Sequence, residues 1–176
     1  NDIFPTEKLQ NYYKFHVIST ISMFYDIHNL KDFINKVEDH LTEKGVWIIE
    51  MNYTKDMILN NGYDMIGHEH ITYYTLHSFS KLLETYSRKL NVYKCNFSQI
   101  NGGSIRIFVA KDYRDVEESV DKTLKDEENA HLNSYDFVKS YFNKIEVHAN
   151  KVNKFVKDLK SNGKKVSIYG ASTRGN

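Results

Sequence analysis

Three adjacent ionisable residues, His68, Glu69 and His70, form the stretch of this chain most able to do chemistry. Tyr73 and Tyr74 follow closely. A His-x-His pair can supply half of a zinc site, because both imidazoles can face one side of an extended segment. An imidazole also titrates near neutral pH and can act as a general base, with a carboxylate fixing its tautomer. The third interpretation is a solvated polar loop.

The rest of the sequence gives little support to a metal site. Zinc needs three or four ligands, but the single cysteine is Cys95 and no second histidine pair is present. The other histidines are scattered singly: His16, His28, His40, His77, His131 and His148. We therefore favour proton transfer and leave the polar loop open. Neighbouring residues need not face each other, so Glu69 either assists a histidine or binds substrate.

Small hydroxyl residues mark the end of the first predicted strand. Ser19, Thr20 and Ser22 stand there, mixed with aromatic residues and followed by Asp26. In a doubly wound sheet this end lies over the ligand crevice. We take the three hydroxyls as candidate cofactor contacts, although capping and core packing explain any one of them equally well.

Two glycine-bearing segments are candidate ligand contacts. Asn101-Gly102-Gly103 predicts a turn, and Arg106 beyond it could neutralise a carboxylate or phosphate. The alternative is a plain hairpin turn with a surface arginine. Residues 170–176 could form a phosphate-cradling loop after a strand. They lack both the G-x-G-x-x-G spacing and the P-loop ending, so the spacing alone is a weak signal.

The elements that would position these residues alternate between strands and helices. Residues 15–21 form an apolar run typical of a strand buried on both faces of a parallel sheet. Asn29 is predicted to cap an amphipathic helix that Gly45 stops. Residues 46–50 form a second buried strand. Together they predict a strand–helix–strand unit.

Further along, the same reasoning predicts short helices and a hairpin. Thr54 and Thr75 are candidate caps of two helices on either side of residues 64–74, which we call the histidine loop. Strands over 90–97 and 104–110 would form an antiparallel hairpin around the glycine turn. A capped helix over 6–13 is predicted before the first strand.

A heptad-like apolar stripe follows, from Val138 to Leu159. We favour a long helix laid against the domain, and a dimerising coiled coil stays open. Asn162 and Gly163 would end this helix, and residues 165–169 predict a new strand.

Composition limits the classes of function. Of 176 residues, 40% are apolar and 27% charged, which suits a buried core. The formal net charge of +1 gives no global field that would attract nucleic acid or an anionic membrane. No apolar run reaches the roughly 20 residues needed to span a bilayer. One cysteine and no recognisable signal peptide lead us to expect a cytoplasmic protein.

In their order along the chain, the motifs resemble one family, the S-adenosylmethionine-dependent C-methyltransferases that act on nucleotide-linked keto sugars. The matching segments are Gly45 to Glu50, Tyr53, His68-Glu69-His70 with Tyr73-Tyr74, Asn101-Gly102-Gly103-Ser104-Ile105-Arg106, and Tyr169 to Asn176. Each motif is short, but their order and spacing are fairly specific and cover nearly the whole chain.

The resemblance implies an α/β fold: a partial Rossmann-like class I methyltransferase sheet with a C-terminal antiparallel hairpin, followed by long linker helices. Residues 1–112 would be the second half of the methyltransferase domain and 113–163 the linker helices. Residues 164–176 would begin an incomplete C-terminal α/β domain. We therefore expect a fragment, inactive or weakly cofactor-binding by itself. The glycine-rich cofactor turn and a small zinc domain would lie upstream.

The resemblance also implies a mechanism and a set of site residues. A base removes a proton beside a ketone, and the enolate attacks the sulfonium methyl group of S-adenosylmethionine. His70 matches the base, with Glu69 as its partner. The expected contacts with a nucleotide-sugar substrate are Tyr53, His68, Tyr73, Asn101, Arg106, Tyr169, Arg174 and Asn176.

This sequence departs from the family pattern at three positions. Gly67 replaces a tyrosine common two residues before the glutamate, and Met23 lies near a position where some members carry histidine. Arg174 stands where lysine is common. The alternative function is a non-catalytic assembly module in which the long helix forms a homodimer.

Overall fold

The computed structural model describes Phe4, residues 13–132 and residues 134–170. Its strands are β1 (Phe15–Ile21), β2 (Leu41–Asn52), β3 (Asn91–Ser98) and β4 (Ser104–Ala110). Its helices are α1 (Leu30–His40), α2 (Thr54–Leu59), α3 (Leu76–Tyr86), α4 (Glu118–Asn129) and α5 (Tyr135–Ser161).

The four strands form one sheet in the order β1-β2-β4-β3. β1 runs parallel to β2, whereas β4 runs antiparallel to both β2 and β3. A parallel pair joined by a helix, followed by an antiparallel hairpin, confirms the predicted mixed α/β, Rossmann-like architecture. Because β1 and β2 are parallel, their carboxyl ends meet at one edge of the sheet, where such folds place ligands.

Burial of β1 differs from the prediction. Of its seven residues only Thr20 is buried. The reason is position: β1 pairs with β2 alone among the described strands and lies at the edge of the sheet. A run of apolar residues specifies a strand, but the neighbours it finds decide whether both of its faces are covered.

The helix between these strands begins as predicted and ends earlier. The side chain of Asn29 accepts a hydrogen bond from the backbone N–H of Asp32, so it caps α1. The predicted stop at Gly45 is wrong, because α1 ends at His40 and β2 begins at Leu41. Gly45 lies inside β2. A Cβ there would stand 2.7 Å from Leu41 Cγ and 3.0 Å from the carbonyl oxygen of Phe15, so close packing requires glycine.

Aromatic side chains fill the core between the sheet and helices α1 and α3. Phe24 packs edge-on against Trp47 and Phe79, with ring centroids 5.6 and 5.4 Å apart. All three side chains are fully buried. Burying a side chain of this size stabilises the fold by about 2 kcal/mol or more. The indole N–H of Trp47 donates to the hydroxyl of Thr20 at 2.7 Å, which satisfies the one polar atom it buries.

One of the two predicted threonine caps is confirmed. Thr75 forms a reciprocal capping box with Ser78 at the start of α3. Thr54 is instead the first helical residue of α2, and Tyr53 precedes it at the cap position. The hydroxyl of Thr54 donates to the carbonyl of Tyr74 at 2.6 Å, which joins α2 to the end of the histidine loop.

The glycine turn has the conformation that the sequence predicts. Ile100–Gly102 forms a single 3₁₀ turn between β3 and β4. Gly102 has a φ of 79° and Gly103 a φ of 126°, in the region that favours glycine.

Helix α5 packs on the domain along its first half, as far as the contact of His148 with Tyr63. Tyr141 is buried against Met57, Ile58 and Met65. Exposed apolar residues follow along the helix and include Phe142, Val147, Val152 and Phe155. The prediction that the whole stripe lies against the domain is therefore wrong, because the described contacts of α5 lie in its first half.

The predicted strand at 165–169 does not form. The backbone of residues 164–170 has no regular secondary structure, and Ile168 and Tyr169 are fully exposed. No other described strand pairs with this segment, and a strand needs a ladder of partners. The predicted helix over 6–13 lies almost wholly outside the described residues, as does the loop from residue 171 onward. In the described part of the chain, no helix is long and apolar enough to cross a membrane.

Candidate active site

The histidine loop is held between the segments that follow β1 and β2. The backbone N–H groups of Ile71 and Thr72 both donate to the carbonyl oxygen of Tyr25, at 3.0 and 3.2 Å. At the other end, the N–H of Thr54 donates to the carbonyl oxygen of Tyr74. These bonds fix His70 over the carboxyl edge of the two parallel strands.

The side chain of His70 contacts a carboxylate. Its Nδ1 lies 2.9 Å from Oδ1 of Asp26, and the histidine side chain is 12% exposed. The ring of Tyr25 packs edge-on against the imidazole, with centroids 4.2 Å apart. A carboxylate can only accept hydrogen bonds, so in the neutral imidazole Nδ1 carries the proton and Nε2 the lone pair. The arrangement gives the imidazole one tautomer, with Nε2 able to accept a proton.

Glu69 does not occupy the role expected of it. Its Oε2 lies 3.3 Å from Nδ1 of His68, and the histidine side chain of that pair is 89% exposed. The carboxylate that contacts Nδ1 of His70 is Asp26, so the partner role passes from Glu69 to Asp26. His68 faces solvent while His70 faces Asp26, which argues against the two imidazoles sharing one metal ion.

Tyr73 holds the beginning of the loop. The backbone N–H of Gly67 donates to the Tyr73 hydroxyl at 3.1 Å, and that hydroxyl lies 3.4 Å from the carbonyl oxygen of Met65. The Tyr73 ring lies edge-on to His70, with centroids 6.1 Å apart. A Cβ at Gly67 would approach Glu69 Oε2 to 2.9 Å. The structure therefore places Tyr73 beside His70, with its hydroxyl engaged by the loop backbone.

Tyr53 lies in the core and outside the site. It is 2% exposed, and its hydroxyl donates to Oε1 of Glu127 at 2.8 Å. Burial, followed by the charge of Glu127, raises the pKa of Tyr53 well above its usual range. Glu127 also accepts from the N–H groups of Leu76 and His77, at 2.6 and 2.8 Å, so it closes the amino end of α3. A buried side chain whose hydroxyl is bound to Glu127 is not placed to contact a substrate.

Arg106 has a partner within the sheet. It stands opposite Glu50 on the neighbouring strand, and its Nε donates to Glu50 Oε2 at 2.7 Å. Its Nη2 contacts the same oxygen. Because Glu50 neutralises this charge, Arg106 is a weaker anion site than the sequence predicts. The backbone of Asn101 lies in the 3₁₀ turn, and its side chain is outside the described set.

A cavity of about 390 Å³ opens beside the glycine turn. Its lining includes Asn52 at the end of β2, Asp56 on α2, and both turn glycines. Burial raises the pKa of Asp56, with Lys55 opposing the shift. A Cβ on Gly103 would overlap the Asp56 side chain at 2.6 Å. The turn thus approaches α2 closely, as expected for a backbone that borders a ligand cavity.

The three hydroxyl residues predicted to contact a cofactor differ in their burial. Thr20 is 3% exposed and its oxygen accepts from Trp47, so its side chain belongs to the core. Ser19 and Ser22 are exposed, and the backbone N–H of Ser22 donates to the carbonyl of Glu50. Two exposed hydroxyls do not make a cradle for S-adenosylmethionine. The described residues alone do not fit that cofactor, and we derive no chemical step through it.

The remaining candidates lie at the end of the chain. Tyr169 is exposed in the irregular segment after α5. Arg174 and Asn176 lie outside the described residues.

The structure brings together His68, Glu69, His70 and Tyr73, and it adds Asp26. Sequence analysis noted Asp26 after the first strand. Because Asp26 is 44 residues from His70, no local pattern linked the two.

Comparison with known proteins finds two similarities in sequence. A model of the C-methyltransferase C-terminal domain matches residues 99–176. The C-methyltransferase NovU of Streptomyces niveus is 28% identical over 154 residues, which are 86% of this chain and 36% of NovU. In sequence, the chain resembles C-methyltransferases. It spans little more than a third of the length of that relative.

Two solved structures resemble this chain with lower sequence identity. One is an S-adenosylmethionine-dependent methyltransferase from Clostridium acetobutylicum ATCC 824, with 15% identity and a TM-score of 0.43 over 58% of this chain and 60% of that one. Another is a complex that contains the Haloferax volcanii Trm112 methyltransferase activator, with 8% identity and a TM-score of 0.46. It covers 57% of this chain and 55% of that one.

Proposed function

We propose that the complete protein containing this chain transfers a methyl group from S-adenosylmethionine to a carbon of a nucleotide-linked keto sugar, with His70 as the base. Similarity to C-methyltransferases supports the reaction class. The observation that carries the role of His70 is its 2.9 Å contact with Asp26 at the carboxyl edge of β1 and β2. The division into a sheet domain, linker helices and a C-terminal domain belongs to the same proposal.

The chemistry assigned to this chain is removal of one proton. A carbonyl acidifies the C–H bond beside it. Nε2 of His70 takes that proton, and the electron pair of the C–H bond moves onto the carbonyl oxygen to give an enolate. His70 becomes an imidazolium, which the Asp26 carboxylate stabilises across the Nδ1 contact. A positioned base of this kind contributes about 10²- to 10⁴-fold to a rate. S-adenosylmethionine, when bound, supplies the electrophilic methyl group.

His68 and Glu69 are proposed as substrate contacts beside the base. His68 is 89% exposed, and Glu69 is the carboxylate 3.3 Å from it. The tyrosine common in the family two residues earlier is Gly67 here, and the Tyr73 hydroxyl is engaged by the loop backbone. His68 is therefore the side chain we assign to hydrogen-bond the enolate oxygen.

The proposed reaction is tested with the complete protein. It is incubated with S-adenosylmethionine labelled in its methyl group and a panel of nucleoside diphosphate keto sugars, and the products are identified by NMR. We expect label on a ring carbon next to the original carbonyl. Label on oxygen or nitrogen, or no transfer to any member of the panel, would contradict the proposed substrate class and reaction.

A second candidate function is assembly through α5. The observation that favours it is the exposed apolar stripe that includes Phe142 and Val152. Val152→Asp places a charge in the stripe, and Lys154→Asp places the same charge outside it. If the stripe pairs two copies, sedimentation shows a dimer for the wild type and for Lys154→Asp, and a monomer for Val152→Asp. A monomeric wild type would exclude this candidate.

A further inference from the structure

A groove of about 430 Å³ lies between α5 and the end of α2, apart from the His70 site. Its lining residues are Asn61, Asn143, Lys144, Val147, His148 and Lys151. Among the described residues, no carboxylate lines it. The groove therefore combines cations with neutral hydrogen-bond donors, which is the chemistry that binds an anion.

The two lysines face the groove without competing acids. Residues 144, 148 and 151 are four and three apart, so their side chains lie on one face of α5. The helical neighbours of Lys144 and Lys151 at these spacings are uncharged, histidine or lysine. Neither lysine forms an ion pair with any described residue, whereas the charge of Arg106 is used by Glu50. Their charge remains available to a ligand.

Aromatic contacts connect this groove to the histidine loop. The ring of Tyr63 lies 5.6 Å from the imidazole of His148, with the two planes tilted by 57°. One turn or two earlier on α5, Tyr141 and Ile145 pack in the cluster that contains Met65 and Tyr73. With a rise of 1.5 Å per residue, the groove begins within roughly 10 Å of that cluster. The Tyr73 ring in turn borders His70.

We propose that this groove binds the diphosphate of the nucleotide-linked substrate, with Lys144 and Lys151 holding the phosphates. The inference rests on the proposed function for its substrate class. A diphosphate carries two or more negative charges. Two ammonium groups on one face of the helix, about two turns apart and without an ion-pair partner among the described residues, match them. Asn61 and Asn143 also line the groove, and each has an amide N–H that could donate to a phosphate oxygen. A ligand anchored there extends along α5 toward the loop that carries the base.

Calorimetric titration of the chain with uridine diphosphate, and separately with inorganic pyrophosphate, tests the site. The test variant is Lys144→Gln with Lys151→Gln. The control, Lys157→Gln with Lys160→Gln, removes the same charge from the same helix outside the groove. We expect saturable binding to the wild type and to the control pair, and at least about tenfold weaker binding to the test pair. Equal thermal unfolding temperatures would show that both pairs fold.

Two results would overturn the proposal: no saturable binding to the wild type, or equal loss in both pairs, which indicates general attraction to the helix. The titration needs neither cofactor nor catalysis. His70→Asn should therefore bind uridine diphosphate like the wild type, so a failure of the groove and a failure of the proposed base can be told apart.

Discussion

Nδ1 of His70 lies 2.9 Å from Oδ1 of Asp26, although 44 residues separate them in the chain. Two backbone hydrogen bonds to the carbonyl of Tyr25, the neighbour of Asp26, bring the loop to this position. Glu69 is adjacent to His70 in sequence, yet it pairs with His68. The contact with Asp26, and not sequence adjacency, sets which nitrogen of His70 is free to take a proton.

Removing the Asp26 charge should disturb the base and leave the fold intact. In Asp26→Asn the amide can also donate to Nδ1, so the proton can move to Nε2 and block it. We expect kcat of the complete protein to fall about 100-fold with little change in KM. Nitrogen NMR of the His70 ring in the chain should show an Nδ1–H tautomer in the wild type and a mixture in the variant.

Glu69→Gln is the matched control for that experiment. It removes a carboxylate adjacent in sequence to His70, but the carboxylate at Nδ1 remains. The His70 tautomer should be unchanged. If Glu69→Gln altered the tautomer and Asp26→Asn did not, the partner role would return to Glu69.

Tyr53→Phe should reduce stability and leave substrate binding unchanged. The variant removes a buried hydroxyl that donates to the carboxylate of Glu127. A lost hydrogen bond to a buried charge costs about 1–3 kcal/mol in the free energy of unfolding. Urea denaturation of the chain measures the loss. A KM increase without loss of stability would instead place Tyr53 at the substrate.

The two turn glycines should differ in their tolerance of a methyl group. Gly102 has a positive φ but open space around it, so Gly102→Ala should cost about 1–2 kcal/mol. Gly103 also has a positive φ, and a Cβ there overlaps Asp56 at 2.6 Å. Gly103→Ala should cost about 3 kcal/mol or more. Equal losses in urea denaturation would show that the turn does not pack against α2 as described.

The raised pKa of Asp56 makes the stability of the fold depend on pH in a predictable direction. Burial raises its pKa in the folded chain above the unfolded value, so the fold favours the protonated acid. That favourable contribution is present below the unfolded pKa, near 4, and is lost as pH rises through the folded pKa. Asp56→Asn should therefore be more stable than the wild type at pH 7, with the difference shrinking at pH 3.5. Denaturation at the two pH values measures it, and an unchanged difference would contradict the shift.

Local patterns in the sequence predicted most of the helices, strands and turns. Burial and side-chain partners depend on residues that are distant in the chain. Asn29, Thr75 and the 101–103 turn act through bonds within a few residues, so their roles were readable from spacing. The exposure of β1 and of α5 depends on which surfaces lie beside them. The contacts of Asp26 with His70 and of Tyr53 with Glu127 join residues 44 and 74 positions apart, and no local pattern encodes such pairs.

The central claim is that His70 removes the proton, and comparing two neighbouring histidines tests it most directly. His70→Asn and His68→Asn are made in the complete protein, and single-turnover methyl transfer is measured with S-adenosylmethionine binding as the check on folding. We predict a loss of about 10²- to 10⁴-fold for His70→Asn. We predict a smaller loss for His68→Asn, with cofactor binding retained in both. Turnover of His70→Asn at the wild-type rate would contradict the assignment.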